Sequence, residues 1–96
     1  MPVEFSPAAE QDLESIGDYV AKENPTRAIT FIQEIRNRCR VLDEAPLAAP
    51  LRPDIASGIR LLVHKRYLIF YSVSKKSVRI ERILHASRNT AKHLKQ

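Results

Sequence analysis

The stretch RYLIFYSV, Arg66–Val73, decides the fold when read with the segment after it, VRIERILHASRN, Val78–Asn89. From Tyr67 to Val73 the side chains are almost all apolar or aromatic, without period-2 alternation, which marks a strand buried on both faces. VRIERILH does alternate. Val78, Ile80, Arg82 and Leu84 fall on one face, and Arg79, Glu81, Ile83 and His85 on the other. Strict alternation therefore sets Arg82 among apolar neighbours. Either a β-bulge shifts the parity, or Arg82 lies at the core margin with its guanidinium paired, Glu10, Asp12 and Glu14 being the candidate partners.

Working outward, IRLLVH (Ile59–His64) is a further strand, and the last strand starts at Ser77 and runs to His85. Lys65-Arg66 and Ser74–Lys76 are tight connections, so the three strands form an antiparallel meander centred on Tyr67–Val73. SRNTAKHLK, Ser87–Lys95, reads as a short terminal helix. Upstream, PVEFS is a short strand with Val3 and Phe5 on one face. Ser6-Pro7 then supplies an N-cap and a first helical position. Ala9, Leu13, Ile16 and Val20 form the apolar stripe of that helix, and Asn24-Pro25 repeats the start signal. Ala28, Ile32, Ile35, Cys39 and Leu42 form the second stripe, ended by Pro46. With almost no linker, the two helices make an antiparallel hairpin. PLAAPLRPDIASG, Pro46–Gly58, is a Pro-rich loop, long enough to carry function or to serve as a plain connector. The expected fold is α+β: an N-terminal strand and a two-helix hairpin packed on a three- to four-stranded antiparallel sheet, as one domain over residues 1–96. The helices cover one face of the central strand, and a chain this short is expected to leave the other face partly open.

The net charge of +5 hides an asymmetry. Residues 1–24 carry six acids and one base, whereas residues 46–96 carry eleven bases and two acids. Such a field attracts a polyanion or an acidic protein, although basic side chains also deter aggregation at sheet edges. A single cysteine, Cys39, excludes an internal disulfide and any multi-Cys zinc site. The N-terminus lacks a signal-peptide pattern and no apolar run reaches membrane-spanning length, so a cytoplasmic protein without membrane contact is expected.

His64, His85 and His93 have no metal-ligand spacing, and with only Gly17 and Gly58 there is no phosphate loop, so neither metal nor cofactor is expected. Tyr67, Phe70 and Tyr71 belong to the central strand and read as core rather than as a base-stacking platform. What remains is a set of bases and imidazoles: Arg60, His64, Arg66, His85 and Arg88. Metal-free RNA cleavage needs a base, an acid and cations for the phosphorane-like charge, which such residues supply. The same charges suit a phosphate-rich partner, and a histidine at a strand end also serves as a plain hydrogen-bonder.

The chain resembles the RelE/ParE superfamily of bacterial toxins over nearly its whole length. The likeness rests on SPAAEQDLESIGDYVAKENPTRA, the Pro-rich loop ending in SGIR, RYLIFYSV and VRIERILHASRN. The order and spacing of RYLIFYSV and ILHASR look like the ParE branch. The resemblance implies a toxin neutralised by a cognate, ParD-like antitoxin whose flexible C-terminal tail wraps it. ParE-type toxins act on DNA gyrase, and RelE-type toxins cut messenger RNA on the ribosome. The ribosomal branch often carries a tyrosine near its C-terminus, and no tyrosine follows Tyr71 here. No known active set transfers onto this chain residue by residue. The expectation is a gyrase inhibitor without catalytic residues. The alternatives are an mRNA endonuclease using Arg66, His85 and Arg88, or a non-toxic homologue that only binds the antitoxin. Arg60, Leu62, His64, Tyr71, Arg79 and Arg82 are the candidate antitoxin contacts, and His85, Arg88 and Asn89 the candidate target contacts. An acidic tail that folds on binding would cover the open sheet face.

Overall fold

The computed structural model of the chain describes residues 1–87. β1 (Val3–Phe5) leads into α1 (Pro7–Ala21) through Ser6, whose hydroxyl accepts from the Ala9 amide at 2.9 Å. That bond satisfies one of the N–H groups a helix start leaves open. Asn24 repeats the device for α2 (Pro25–Arg40), its side-chain oxygen accepting from the Arg27 amide at 3.0 Å. α2 tightens into a 3-10 turn at Val41–Asp43, and the Pro-rich loop follows. β2 (Arg60–His64), β3 (Tyr67–Val73) and β4 (Val78–His85) complete the described chain. The expected terminal helix lies outside the described residues.

The sheet order is β1-β4-β3-β2. β2, β3 and β4 form the antiparallel meander read from the sequence. β1 instead runs parallel to β4, with Val3 opposite Val78, so the sheet is mixed. A parallel pair needs a long crossover, and everything between β1 and β4 supplies it.

Along β3 the side chains divide between two cores. Ile69 and Tyr71 meet Leu13 and Ile16 of α1 and Phe31, Ile35 and Cys39 of α2. Phe70 and Leu84 pack with Ile55, Ala56 and Ile59 from the end of the Pro-rich loop. The chain thus covers part of the second face itself, Phe70 being 0% and Leu84 3% exposed. Packing the loop's apolar residues on this face removes apolar surface of both loop and sheet from water. The cover is partial: Leu61 and Leu68 are half-buried and Val63 is exposed.

Both readings of Arg82 hold. The β3–β4 register passes from Phe70 opposite Arg82 to Tyr71 opposite Ile80, leaving Glu81 as the extra residue of a bulge. Beyond it the parity is inverted, so Ile83 rather than Leu84 joins Val78 and Ile80 in the helix-side core. The edge of β4 is then closed by α1. The Ser6 amide donates to the Ile80 carbonyl at 2.9 Å and its hydroxyl to the Glu81 carbonyl at 2.7 Å. Asp12 accepts from Arg82 Nε at 2.8 Å, Arg82 Nη2 at 2.9 Å and the Ile83 amide at 2.9 Å.

Candidate interaction surface

The β2–β3 turn gathers several of the candidate residues. His64, Tyr67 and His85 are direct cross-strand neighbours on the helix-facing side. Tyr67 meets His85 edge-on at 5.2 Å, and Phe31 of α2 lies 5.5 Å from Tyr67 and 6.0 Å from His64 between ring centroids. The turn residue Lys65 has φ 54°, in the left-handed region that non-glycine residues seldom adopt. Its ammonium is held 5.7 Å above the Phe31 ring and 3.6 Å from Glu34. Arg27 also pairs with Glu34 and sits 5.2 Å over the same ring. Arg27 first, and then Lys65, hold the Glu34 carboxyl below its ordinary range. His64 Nε2 is buried with no hydrogen-bond partner among the described residues. Burial lowers the imidazole's pKa; Lys65, Arg38 and Arg27 act in the same sense and Glu34 opposes them.

At the other end of β2 the candidate residues hold the Pro-rich loop. Arg60 Nη1 donates to the Ala49 carbonyl at 2.7 Å. The Tyr71 hydroxyl donates to the Pro46 carbonyl at 2.9 Å and accepts from the Ala49 amide at 3.3 Å. Tyr71 and Leu62 are core residues, 0% and 7% exposed, so they support a surface from beneath. Arg79 lies on the outer face, exposed, and donates to Glu81 at 3.2 Å. Arg82 is committed to Asp12. The six candidate antitoxin contacts therefore do not converge on one patch. Arg60, Leu62, His64 and Tyr71 share the helix-facing side, and Arg79 belongs to the other.

A cavity of about 370 Å³ opens between α1 and the ends of β3 and β4. Ile16, Ile83 and Leu84 give it apolar lining, Tyr19, Tyr67 and His85 give it rings, and Asp12, Ser15 and Ser87 give it polar groups. His85 Nδ1 lies 2.8 Å from the Ser87 hydroxyl and accepts from the Ser87 amide at 3.2 Å. Arg66 is at the same end, its carbonyl accepting from the Ala86 amide at 2.8 Å. Of the nuclease alternative, the fold thus brings Arg66 and His85 near one another, while Arg88, like Asn89, lies outside the described residues. Sequence reading missed the contribution of α1 to this site. Its signal was Tyr19, an aromatic residue off the apolar stripe, 70% exposed. Cys39 takes no part in any surface, burial pushing its thiol up to about 12. Among the described residues no helix is long and apolar enough to cross a membrane.

The family model described as the ParE toxin of the type II toxin–antitoxin system parDE matches residues 3–90, nearly the whole chain. The chain belongs to the ParE toxin family. A solved chain of the chromosomal ParDE toxin–antitoxin system from P. aeruginosa is similar at 26% identity and TM-score 0.80, covering 91% of this chain and 97% of that one. A chain of the toxin–antitoxin complex RelBE2 from Mycobacterium tuberculosis shares the fold at 24% identity and TM-score 0.65, covering 88% and 95%. No curated protein sequence matches the chain. The ParE fold accounts for the mixed sheet and the helical hairpin together, and it makes this chain the toxin of a type II toxin–antitoxin system within the RelE/ParE superfamily.

Proposed function

We propose that this toxin inhibits DNA gyrase and is held inactive by an acidic, ParD-like antitoxin. The observation that carries the reading is the ParE match through residue 90, which takes in the strand end bearing His85. The similar P. aeruginosa chain comes from a ParDE system, which supports an antitoxin partner. Charge placement supports it further. Among the described residues, Arg66, Lys75 and Lys76 are exposed and have no ion pair, so part of the basic excess is available to an acidic tail. The half-covered outer face, with Leu61, Val63 and Leu68, offers that tail an apolar strip, with Arg79 on the same face. A nuclease would need cations converging on His85. Arg66 is near it, whereas Arg60, Arg79 and Arg82 are committed to Ala49, Glu81 and Asp12.

The cellular test is the order of arrest. On induced expression, thymidine incorporation should stop before leucine incorporation, and co-expression of the antitoxin should restore both. Leucine incorporation stopping first would sink the gyrase reading in favour of the ribosome.

A further inference from the structure

The orphaned imidazole nitrogen at the end of β2 is not explained by core packing or by an acidic antitoxin. We infer that His64 is an acid-triggered latch: a second proton on its ring releases it from the Phe31 and Tyr67 rings and opens the β2–β3 turn away from α2. The inference stands on this corner of the fold alone and does not depend on which enzyme the toxin inhibits.

The closed and open forms differ in what the ring must satisfy. In the neutral imidazole one nitrogen donates and the other accepts, and one unmet group of that kind is tolerated beside aromatic rings. The Phe31 ring centroid lies 6.0 Å from that of His64 and 5.5 Å from that of Tyr67. In the imidazolium both nitrogens must donate. Buried Nε2 then carries an N–H and part of a positive charge, with no acceptor among the described residues.

The charges around the ring act in the same direction. α2 presents Arg27, Glu34 and Arg38, and the turn presents Lys65, so cations outnumber the lone carboxylate. Glu34 is already divided between Arg27 and Lys65. The Phe31 ring gives an imidazolium little relief, because Arg27 and Lys65 sit over it at 5.2 and 5.7 Å. β3 presents Tyr67, itself met edge-on by His85 of β4 at 5.2 Å. Arg66, next in the turn, is exposed and has no ion pair among the described residues. The turn is also placed to give way. β2 is an edge strand, His64 is its last residue, and the ring is only half-buried, so a short swing brings it to water. Lys65 keeps φ 54°, a conformation that persists in a non-glycine residue only where its surroundings enforce it. The ring in water titrates near 6.5 and the closed ring below that, so each pH unit between the two values favours the open form by about tenfold.

The test is an NMR titration of the full chain between pH 8 and pH 5, with far-UV circular dichroism alongside. It follows the His64 and His85 ring resonances, the Lys65 amide, and cross-relaxation between the His64 and Phe31 rings. His64 is expected to titrate below its ordinary value. The cross-relaxation should fall to less than half, and the Lys65 amide should shift, at that same midpoint while the circular dichroism stays constant. Glu34→Gln removes the only carboxylate facing the ring and should lower the midpoint. His64→Phe keeps a ring that takes no proton, and should abolish the Lys65 transition; His85→Asn should leave it in place. Cross-relaxation that survives protonation of His64 overturns the inference, since the corner would then hold the imidazolium. A His64 midpoint at or above the ordinary value overturns it too, as does a Lys65 transition that persists in His64→Phe or vanishes in His85→Asn. Loss of the circular dichroism signal at the His64 midpoint would make the event global acid unfolding, which also overturns the proposal.

Discussion

Replacing Asp12 by alanine isolates what its carboxylate does at the edge of β4 beyond the reach of β1. The substitution removes three hydrogen bonds of 2.8, 2.9 and 2.9 Å. It leaves the Arg82 guanidinium and the Ile83 amide without that partner. The side chains of Arg82 and Asp12 are only 23% and 13% exposed, so water replaces the lost partner poorly. Breaking one side of a fully buried pair costs about 3–5 kcal/mol and of an exposed pair about 0–1 kcal/mol. The intermediate burial here sets the cost at roughly 2–3 kcal/mol. Asp12→Asn keeps an oxygen for the Ile83 amide but loses the charge facing Arg82, and should cost about half as much. In urea denaturation, a slope of roughly 1–1.5 kcal/mol per molar turns the alanine cost into a midpoint about 2 M lower with the slope unchanged. A loss under about 0.5 kcal/mol, or an asparagine variant as unstable as the alanine one, would refute the reasoning. Arg82 would then be a surface cation rather than part of the closed edge.

Ile35, at 0% exposure, should lose about 2–5 kcal/mol on truncation to alanine. The half-buried Ile32 should lose clearly less, and equal losses in chemical denaturation would place the hairpin seam wrongly. Gly17→Ala should stabilise by roughly 0.5–1 kcal/mol, as expected for a glycine inside a helix. Its new Cβ would meet Ile32 Cγ1 at an ordinary 3.5 Å, so a thermal midpoint that falls contradicts this. His64 should make stability pH-dependent. Its folded pKa lies below the unfolded value near 6.5, so the unfolded chain binds the proton first as pH falls. Stability should therefore drop as pH falls through about 6.5 and level off below the folded pKa. Urea midpoints between pH 8 and pH 5 should show a smaller drop for His64→Gln, and identical profiles would mean His64 is not desolvated.

The local signals were the legible ones. Ser6-Pro7 and Asn24-Pro25 announced both helix starts, and both caps make the bonds their residue types suggest. The meander followed from two short connections between apolar runs. What could not be read depends on contacts distant in sequence. The parallel pairing of β1 is set by the crossover, not by VEF itself. The bulge at Glu81 leaves no mark in an alternating pattern except the misfit of Arg82, and it moves Ile83 and Leu84 to opposite faces. Ile55 and Ala56 read as loop residues and Ile59 as the start of a strand, because no period joins them, yet together they cover Phe70. The candidate surface suffered from the same limit. Tyr71 and Leu62 sit on strands whose inner face is known only once the helices are placed. The cavity depends on α1 passing the ends of β3 and β4.

The central claim is that this ParE-family toxin acts on gyrase. The most direct measurement incubates purified gyrase, relaxed plasmid and ATP with increasing toxin, and in parallel exposes ribosome-bound mRNA to the same amounts. The expected result is dose-dependent loss of supercoiled product or accumulation of cleaved DNA, with the mRNA intact. Unaffected supercoiling together with cut mRNA would contradict it.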